Sequence, residues 1–171
     1  MPELDGDNIY LETVKPQDIA LVRGWSIKTR DSFFLNSSTL MISTDDLSLL
    51  ISSLNHKFYL IRDRAQHPLG ALLFSNIHNP RHIAEAALTM QPSRNNTKLM
   101  REALETGLLH LFQKTTVTKL YCHCLTHEEE LKKVLLDCYF QKEGQFKEHI
   151  FYNNKYHDQE VWGLSKKDYY R

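Results

Sequence analysis

The sequence predicts an α+β domain with a mixed central sheet, flanking helices and a C-terminal β-hairpin. Along its 171 residues the apolar pattern switches between the two-residue period of strands and the 3.6-residue period of helices. Three strand-like segments in succession precede the helix over 97–113, which indicates an antiparallel meander. Asn153 and Asn154 then separate two runs rich in aromatic and β-branched residues, which predicts the closing hairpin.

The first half of the chain contains one strand, two helices and the meander. A strand over 9–14 is followed by a helix that Pro16 opens, while residues 29–38 fit either a helical turn or a loop. The next helix starts with Ser43 and Asp46 in a capping-box arrangement. The three strands of the meander are predicted over 57–63, 68–77 and 82–90.

The second half alternates helices and strands before the hairpin. The helix over 97–113 has an apolar stripe, and its Glu102 is expected to face water. The stripe consists of Met100, Leu104, Leu108 and Leu111. A strand over 118–125 precedes a helix for which Thr126 and Glu129 form a capping box. The complete order is β-α-α-β-β-β-α-β-α-β-β, and we expect a single domain over 1–171 because no linker is visible.

Composition limits the classes of partner. The 21 basic and 21 acidic residues give a formal net charge of zero, so neither nucleic acid nor membrane is an expected partner. The acidic N-terminal segment lacks the apolar core of a secretory signal, and we expect a cytoplasmic protein. The three cysteines are expected to be buried thiols, and strand alternation separates Cys122 and Cys124 from His123, so no metal site is expected.

The order of elements and the C-terminal sequence resemble a known superfamily. The shared tail pattern is an aromatic residue, Glu-Gly, Tyr-x-Asp after the turn, Gly-Leu and a final Asp-Tyr, and "REAL" (101–104) adds a second similarity. In this chain the tail residues are Phe140, Glu143, Gly144, Tyr156, Asp158, Gly163, Leu164, Asp168 and Tyr169. These features resemble the GNAT superfamily of acyl-CoA-dependent N-acetyltransferases, especially the ribosomal-protein N-terminal acetyltransferases. The resemblance implies acetyl-CoA as cosubstrate, an amine acceptor on a small molecule or a protein N-terminus, and a monomer or homodimer.

The resemblance also shows where this chain departs from the family. The two glycines of the pyrophosphate loop fall on Lys98 and Met100, and Asn95 takes the place of the usual Gln or Arg. The tyrosine that usually reprotonates the thiolate falls on Leu135. A further glycine becomes Tyr139, and the asparagine that starts the same helix becomes Glu128.

The resemblance assigns two groups of residues to the cosubstrate. Backbone groups of Leu88 to Met90 would take the pantetheine amides and the thioester carbonyl, where GNAT strands part. The loop that enters the long helix would hold the pyrophosphate through its N–H groups and basic side chains. Its candidates are Arg94, Asn95, Asn96, Thr97, Lys98 and Met100. Alternatively, Asn96 or Thr97 is only an N-cap and the basic residues are a solvated surface.

Glu85 is the candidate catalytic residue. It shares a strand face with Ala87 and Thr89, and a carboxylate between small residues would be partly desolvated, which raises its pKa toward the useful range of a base. In the resembling family a glutamate near this place often takes the amine proton through water. The alternative is a structural glutamate paired with a cation such as Arg81.

Three functions therefore follow from the sequence. The first is an N-acyltransferase that uses acyl-CoA, with Glu85 as base. The second is a GNAT-like domain without catalysis that serves in binding or assembly, which the changed motif residues favour. The third is an acyltransferase with a donor other than CoA. A gap between strands 82–90 and 118–125 favours the first, and filling of that gap by Met90, Met100 or Leu135 favours the second.

Overall fold

The structure is a computed structural model that describes residues 3–29, 44–91 and 96–171. It is α+β, with one eight-stranded sheet and helices on both faces. The strands are β1 (Leu4–Asp5), β2 (Ile9–Thr13), β3 (Lys57–Asp63), β4 (Pro68–Ser75), β5 (Ile83–Met90), β6 (Lys119–Leu125), β7 (Gln141–Tyr152) and β8 (Lys155–Ser165). The helices are α1 (Ile19–Thr29), α2 (Thr44–Ser52), α3 (Thr97–Lys114), α4 (Glu129–Asp137) and α5 (Lys166–Tyr169), with a 3-10 turn at Pro16–Asp18.

The sheet is mixed, as the sequence predicts. Its strands are ordered β1-β2-β3-β4-β5-β6-β8-β7. The neighbours β5 and β6 are parallel, because α3 crosses over between them, and all other neighbours are antiparallel. This parallel pair at the centre of the sheet positions the candidate site.

Each face of the sheet has its own apolar core. Helices α3 and α4 cover one face, and the predicted α3 stripe is confirmed because Met100, Leu104, Leu108 and Leu111 are all buried there. On the other face Val22 and Trp25 of α1 pack on Phe58 and Leu73. Burial of such side chains supplies most of the free energy that holds helices to a sheet.

The C-terminal hairpin is also confirmed. Its turn residues Asn153 and Asn154 have φ values of 55° and 62°, the left-handed conformation that asparagine tolerates and a two-residue hairpin turn requires. Residues 159–165 of β8 then pair with all seven residues of β6, so the hairpin joins the sheet through β8 and leaves β7 at its edge.

Some boundaries differ from the predicted ones. The short strand β1 and the terminal helix α5 are additions that their few residues did not reveal. The predicted capping box of Thr126 and Glu129 is wrong, because α4 begins at Glu129 with Glu128 as N-cap residue. The predicted start at Ser43 lies outside the described residues. In the described part of the chain, no helix has both the length and the apolar character needed to cross a bilayer.

Glu102 does not simply face water, as its position on α3 had suggested. Its carboxylate accepts hydrogen bonds from the backbone N–H of Asn8 at 2.6 Å, from Asn8 Nδ2 at 2.9 Å and from the N–H of Ile9 at 3.3 Å. Burial alone would raise the pKa of Glu102, but these hydrogen bonds outweigh it and the pKa is lowered. Glu102 thus fastens the turn between β1 and β2 to the helix that leads away from the site.

We expect Glu102→Ala to lower the free energy of unfolding by about 1–2 kcal/mol, because it removes hydrogen bonds to a charged group. Glu105→Ala is the matched control on the same helix, since Glu105 makes an exposed pair with Arg101, and it should cost about 0.3–0.5 kcal/mol. Urea unfolding measures both.

The pH dependence of this effect has a definite sign. A carboxyl group with a lowered pKa stabilises the fold above its ordinary pKa, and the stabilisation is lost as pH falls through the lower pKa of the folded state. The difference between wild type and Glu102→Ala should therefore be full at pH 7 and shrink below about pH 4. Equal costs for Glu102→Ala and Glu105→Ala at pH 7 would contradict this role.

Candidate active site

The two parallel strands at the centre of the sheet pair over only part of their length. Residues 83–86 of β5 pair with residues 119–122 of β6, and the ladder ends at Ala86 and Cys122. Both strands continue, since β4 holds β5 as far as Met90 and β8 holds β6 as far as Leu125. Residues 87–90 and 123–125 therefore border an opening in the sheet, which we call the fork.

The backbone of β5 presents polar groups to the fork. Gln91 N, just after β5, donates to Leu69 O of β4 at 2.6 Å. In an antiparallel ladder every second residue faces the same neighbour, so the N–H and C=O of Thr89 also face β4. Those of Leu88 and Met90 consequently face the fork, beyond the point where the ladder with β6 ends.

The end of β5 packs closely on β4, on the side of β5 that faces away from β6. Gly70 lies opposite Met90, and a Cβ placed on Gly70 would lie 2.2 Å from the carbonyl oxygen of Thr89 and 2.9 Å from the sulfur of Met90. No side chain fits there without movement of the backbone, so only glycine permits this spacing. Gly70 therefore lets the end of β5 lie against β4, on the side away from β6.

Glu128 lies on the β6 side of the fork. Its Oε2 accepts a hydrogen bond of 2.6 Å from the backbone N–H of Leu125, the last residue of β6. Lys132, one turn into α4, donates from Nζ to the carbonyl oxygen of Thr126 at 2.7 Å. The Glu128 carboxylate thus satisfies a backbone N–H that a longer ladder with β5 would use, and Lys132 satisfies the carbonyl oxygen of the first residue after β6.

The start of α3 is capped by its own side chain. Asn96 Oδ1 accepts from Lys98 N at 2.9 Å and from Leu99 N at 3.3 Å, which is the N-cap role considered from the sequence. Lys98 is exposed, Thr97 is half-buried and Met100 is buried. Arg94 and Asn95, the other candidates of this loop, lie outside the described residues.

Two of the changed motif residues have clear structural roles. Leu135 is 1% exposed and belongs to the same apolar core as Met90 and Met100, each 5% exposed. Tyr139 has φ of 68°, the left-handed conformation for which glycine is best suited. If the resemblance holds at these positions, Leu135 is an apolar core residue in place of a catalytic tyrosine, and Tyr139 is a strained residue in place of a glycine.

Glu85 lies on the face of the sheet that α1 covers, one residue before the last pair of the β5–β6 ladder. It is half-buried between Ser75 of β4 and Tyr121 of β6 in the strand register. Among the described residues no ion pair joins it to Arg81, the partner that a structural glutamate was expected to have. The Glu85 side chain lies on the face covered by α1.

His123 lies on the same face as Glu85 and borders the fork. It follows Tyr121 by two residues, so strand alternation places both on the face of Glu85. Burial lowers the pKa of His123. The negative charge of Glu85 acts to raise this pKa, whereas His149 lowers it further, and the net shift is downward. The imidazole is therefore largely neutral near pH 7 and is a second basic group beside the fork.

Thiol chemistry receives no support from the cysteines. Cys122, Cys124 and Cys138 are free and buried, and burial raises the pKa of Cys138 to about 12 and those of the other two still further. In the described ranges no group of three or more His, Cys, Asp or Glu side chains could hold a metal ion. Polar groups at or beside the fork include the backbone groups of β5 and the side chains of Glu128, Glu85 and His123.

Comparison with known proteins identifies the fold. No protein-family model matches the chain, and no curated protein matches it in sequence. Spermidine N-acetyltransferase from Vibrio cholerae, solved in complex with CoA and spermine, superimposes with a TM-score of 0.83 at 17% identity and covers 96% of this chain and 99% of its own. Ribosomal-protein-S5-alanine acetyltransferase from Vibrio fischeri gives 0.77 at 16% identity, with 96% and 97% covered. The chain has the GNAT fold of these acetyltransferases.

We expect Gly70→Ala to reduce the free energy of unfolding by about 1–3 kcal/mol, because the added methyl group must push β5 away from β4. Gly144→Ala is the control, since no heavy atom of the described residues lies within 4 Å of a Cβ placed there, and its effect should be within about 0.5 kcal/mol. Denaturant titration compares the two proteins. Equal stabilities would show that the spacing at Gly70 does not hold the strand in place.

Proposed function

We propose that the protein is an N-acyltransferase that moves an acetyl or other acyl group from acyl-CoA to an amine. The observation that carries the proposal is the fork, where β5 and β6 separate after the Ala86–Cys122 pair although each strand continues. The fold supports it, because a structural neighbour of the same fold was solved with CoA and spermine. The proposed acceptor is a small-molecule amine or a protein N-terminus; one neighbour is a spermidine N-acetyltransferase solved with spermine and the other is a ribosomal-protein-S5-alanine acetyltransferase.

The donor would lie along β5 in the fork. Acyl-CoA supplies an acyl group activated as a thioester, flanked by amides that need hydrogen-bond partners. The N–H and C=O groups of Leu88 and Met90 face this opening and match that need without requiring any particular side chain. This part of the site fits the donor in spite of the changed sequence motif.

Side chains at the start of α3 would bind the pyrophosphate. Asn96 already occupies the N–H groups of Lys98 and Leu99, so a phosphate gains those groups only if the asparagine moves. Lys98 is exposed beside them and supplies a positive charge, and Arg94 is proposed to supply another. We assign Arg94, Asn95, Asn96, Thr97 and Lys98 to the phosphate side, with Met100 beneath them in the core.

The acceptor amine would approach from the face covered by α1. An amine attacks a thioester only in its neutral form, so a nearby base is needed to remove its proton. Glu85 is the proposed base and acts through a water molecule, and neutral His123 is positioned beside it at the edge of the fork. Leu135 cannot donate a proton to the departing thiolate, so that proton must come from the solvent or from another group.

A second candidate function is a GNAT domain that binds without catalysis. It is favoured by Met90, Met100 and Leu135, which are buried in one apolar core, and by the self-capped start of α3. In that case the opening would still serve recognition, but no acyl transfer would occur. A donor other than CoA, considered from the sequence, has no structural observation in its favour.

We expect acetyl-CoA and CoA to raise the melting temperature in a concentration-dependent manner, by the equivalent of about 2.7 kcal/mol at 100 times Kd. Lys98→Ala should weaken this stabilisation, because it removes a charge at the phosphate side. Lys114→Ala, at the other end of α3, is the matched control and should bind CoA like wild type. The absence of any stabilisation at millimolar CoA would reject the donor, and an unchanged Lys98→Ala would remove this lysine from the site.

Glu85→Gln should lower kcat by about 10² to 10⁴ without weakening CoA binding, because the amide cannot accept the amine proton. The test measures acetyl transfer to a panel of amines, together with CoA affinity by calorimetry. His123→Gln is measured in parallel, since the same face carries both groups. A fully active Glu85→Gln with an inactive His123→Gln would move the role of base to His123, and two active variants would exclude both.

A further inference from the structure

A groove of about 490 Å³ lies beside the middle of α3. It is formed between the middle of α3, the end of α4 and the C-terminal helix α5. Its lining includes Asp5, Glu105, Leu109, Tyr139, Tyr169 and Tyr170. Among the described residues that line it, none belongs to 87–90 or 123–125, so the groove is separate from the fork. It is also distant from the start of α3, because Glu105 lies eight residues beyond Thr97, about 12 Å along the helix axis at 1.5 Å per residue.

Tyr139 has a left-handed backbone conformation, which is unfavourable for tyrosine. It follows α4 in a Schellman motif, in which Tyr139 N donates to Leu136 O at 3.0 Å and Phe140 N donates to Leu135 O at 2.9 Å. The motif requires a left-handed residue after the helix, and here φ is 68°. Glycine is the usual residue there, and a tyrosine in this conformation carries a penalty that glycine would avoid.

The three tyrosines present aromatic surface to the groove. Tyr139 is 63% exposed and Tyr170 is 54% exposed, although tyrosine rings are favoured in partly buried positions. Tyr169 packs on Phe112 with ring centroids 5.2 Å apart, and Tyr170 meets Tyr169 edge to face at 5.0 Å. The Phe112 contact fixes Tyr169, and Tyr169 in turn orients Tyr170.

The charged groups of the groove are negative. Asp5 and Glu105 contribute two carboxylates, and the described residues that line the groove include no lysine or arginine. Arg101 contacts one oxygen of Glu105 at 2.8 Å, and Arg64 contacts one oxygen of Asp5 at 2.9 Å, so each carboxylate retains a second oxygen. Aromatic faces beside carboxylates attract an organic cation and repel phosphate or carboxylate ligands.

We propose that this groove is a second binding site, distinct from the fork, for an organic ammonium ion. The rings of Tyr139, Tyr169 and Tyr170 contact the alkyl groups around the positive nitrogen, and Glu105 and Asp5 balance its charge. The volume lies within the range of small-molecule sites. The proposal does not depend on acyl transfer, because none of these residues borders the fork.

The test compares choline with 3,3-dimethyl-1-butanol, which has the same shape without the charge. Binding is followed by NMR titration of the methyl protons with the protein in the absence of acyl-CoA. We expect choline to bind at least about tenfold more tightly than the neutral analogue, corresponding to the stronger end of cation–π attraction. Equal binding of the two compounds, or binding of neither, would overturn the proposal.

Tyr139→Gly separates a ligand role from a structural one. The substitution relieves the left-handed strain, so we expect the melting temperature to rise by about 2–4 °C while choline binding weakens several-fold. Tyr156→Ala, a 62% exposed tyrosine of the hairpin outside the groove, is the control and should leave choline binding unchanged. Undiminished choline binding by Tyr139→Gly, or an equal loss in Tyr156→Ala, would contradict the assignment.

Discussion

The early end of the parallel ladder between β5 and β6 is the constraint on which the rest of the site depends. A continuous sheet would use the backbone groups of Leu88 and Met90 in pairing and would leave no opening for a ligand. Two local features maintain the separation. Gly70 lets the end of β5 lie against β4, and the carboxylate of Glu128 takes the N–H of Leu125 at the end of β6.

The two faces of the sheet give the fork two different environments. On the face of α3 and α4, an apolar core that includes Met90, Met100 and Leu135 covers this part of the sheet. On the face of α1, Glu85 and His123 lie near the same opening and are the bases that we propose. In the proposed reaction, a sheet that is open at one point brings the donor and the proton acceptors together without a loop that carries both.

Periodicity in the sequence was sufficient for the architecture, because strand alternation and the α3 stripe are direct consequences of burying one face of each element. The turn at Asn153 and Asn154 could be predicted for the same reason, since few residues adopt its conformation. The role of Glu102 could not be predicted, because its partners Asn8 and Ile9 are about ninety residues away in the chain. The cap formed by Asn96 was anticipated as one of two alternatives, whereas the role of Gly70 depends on a spacing between strands that no local pattern encodes.

The central claim is that the backbone of β5 at the fork binds the donor. Hydrogen–deuterium exchange of individual amides, measured by NMR with and without CoA, tests this most directly because it reports on the N–H groups themselves. We expect CoA to slow exchange at Leu88 and Met90, while amides of the β7–β8 hairpin remain unchanged. Slower exchange elsewhere in the chain with no change at Leu88 and Met90 would show that this backbone does not bind the donor.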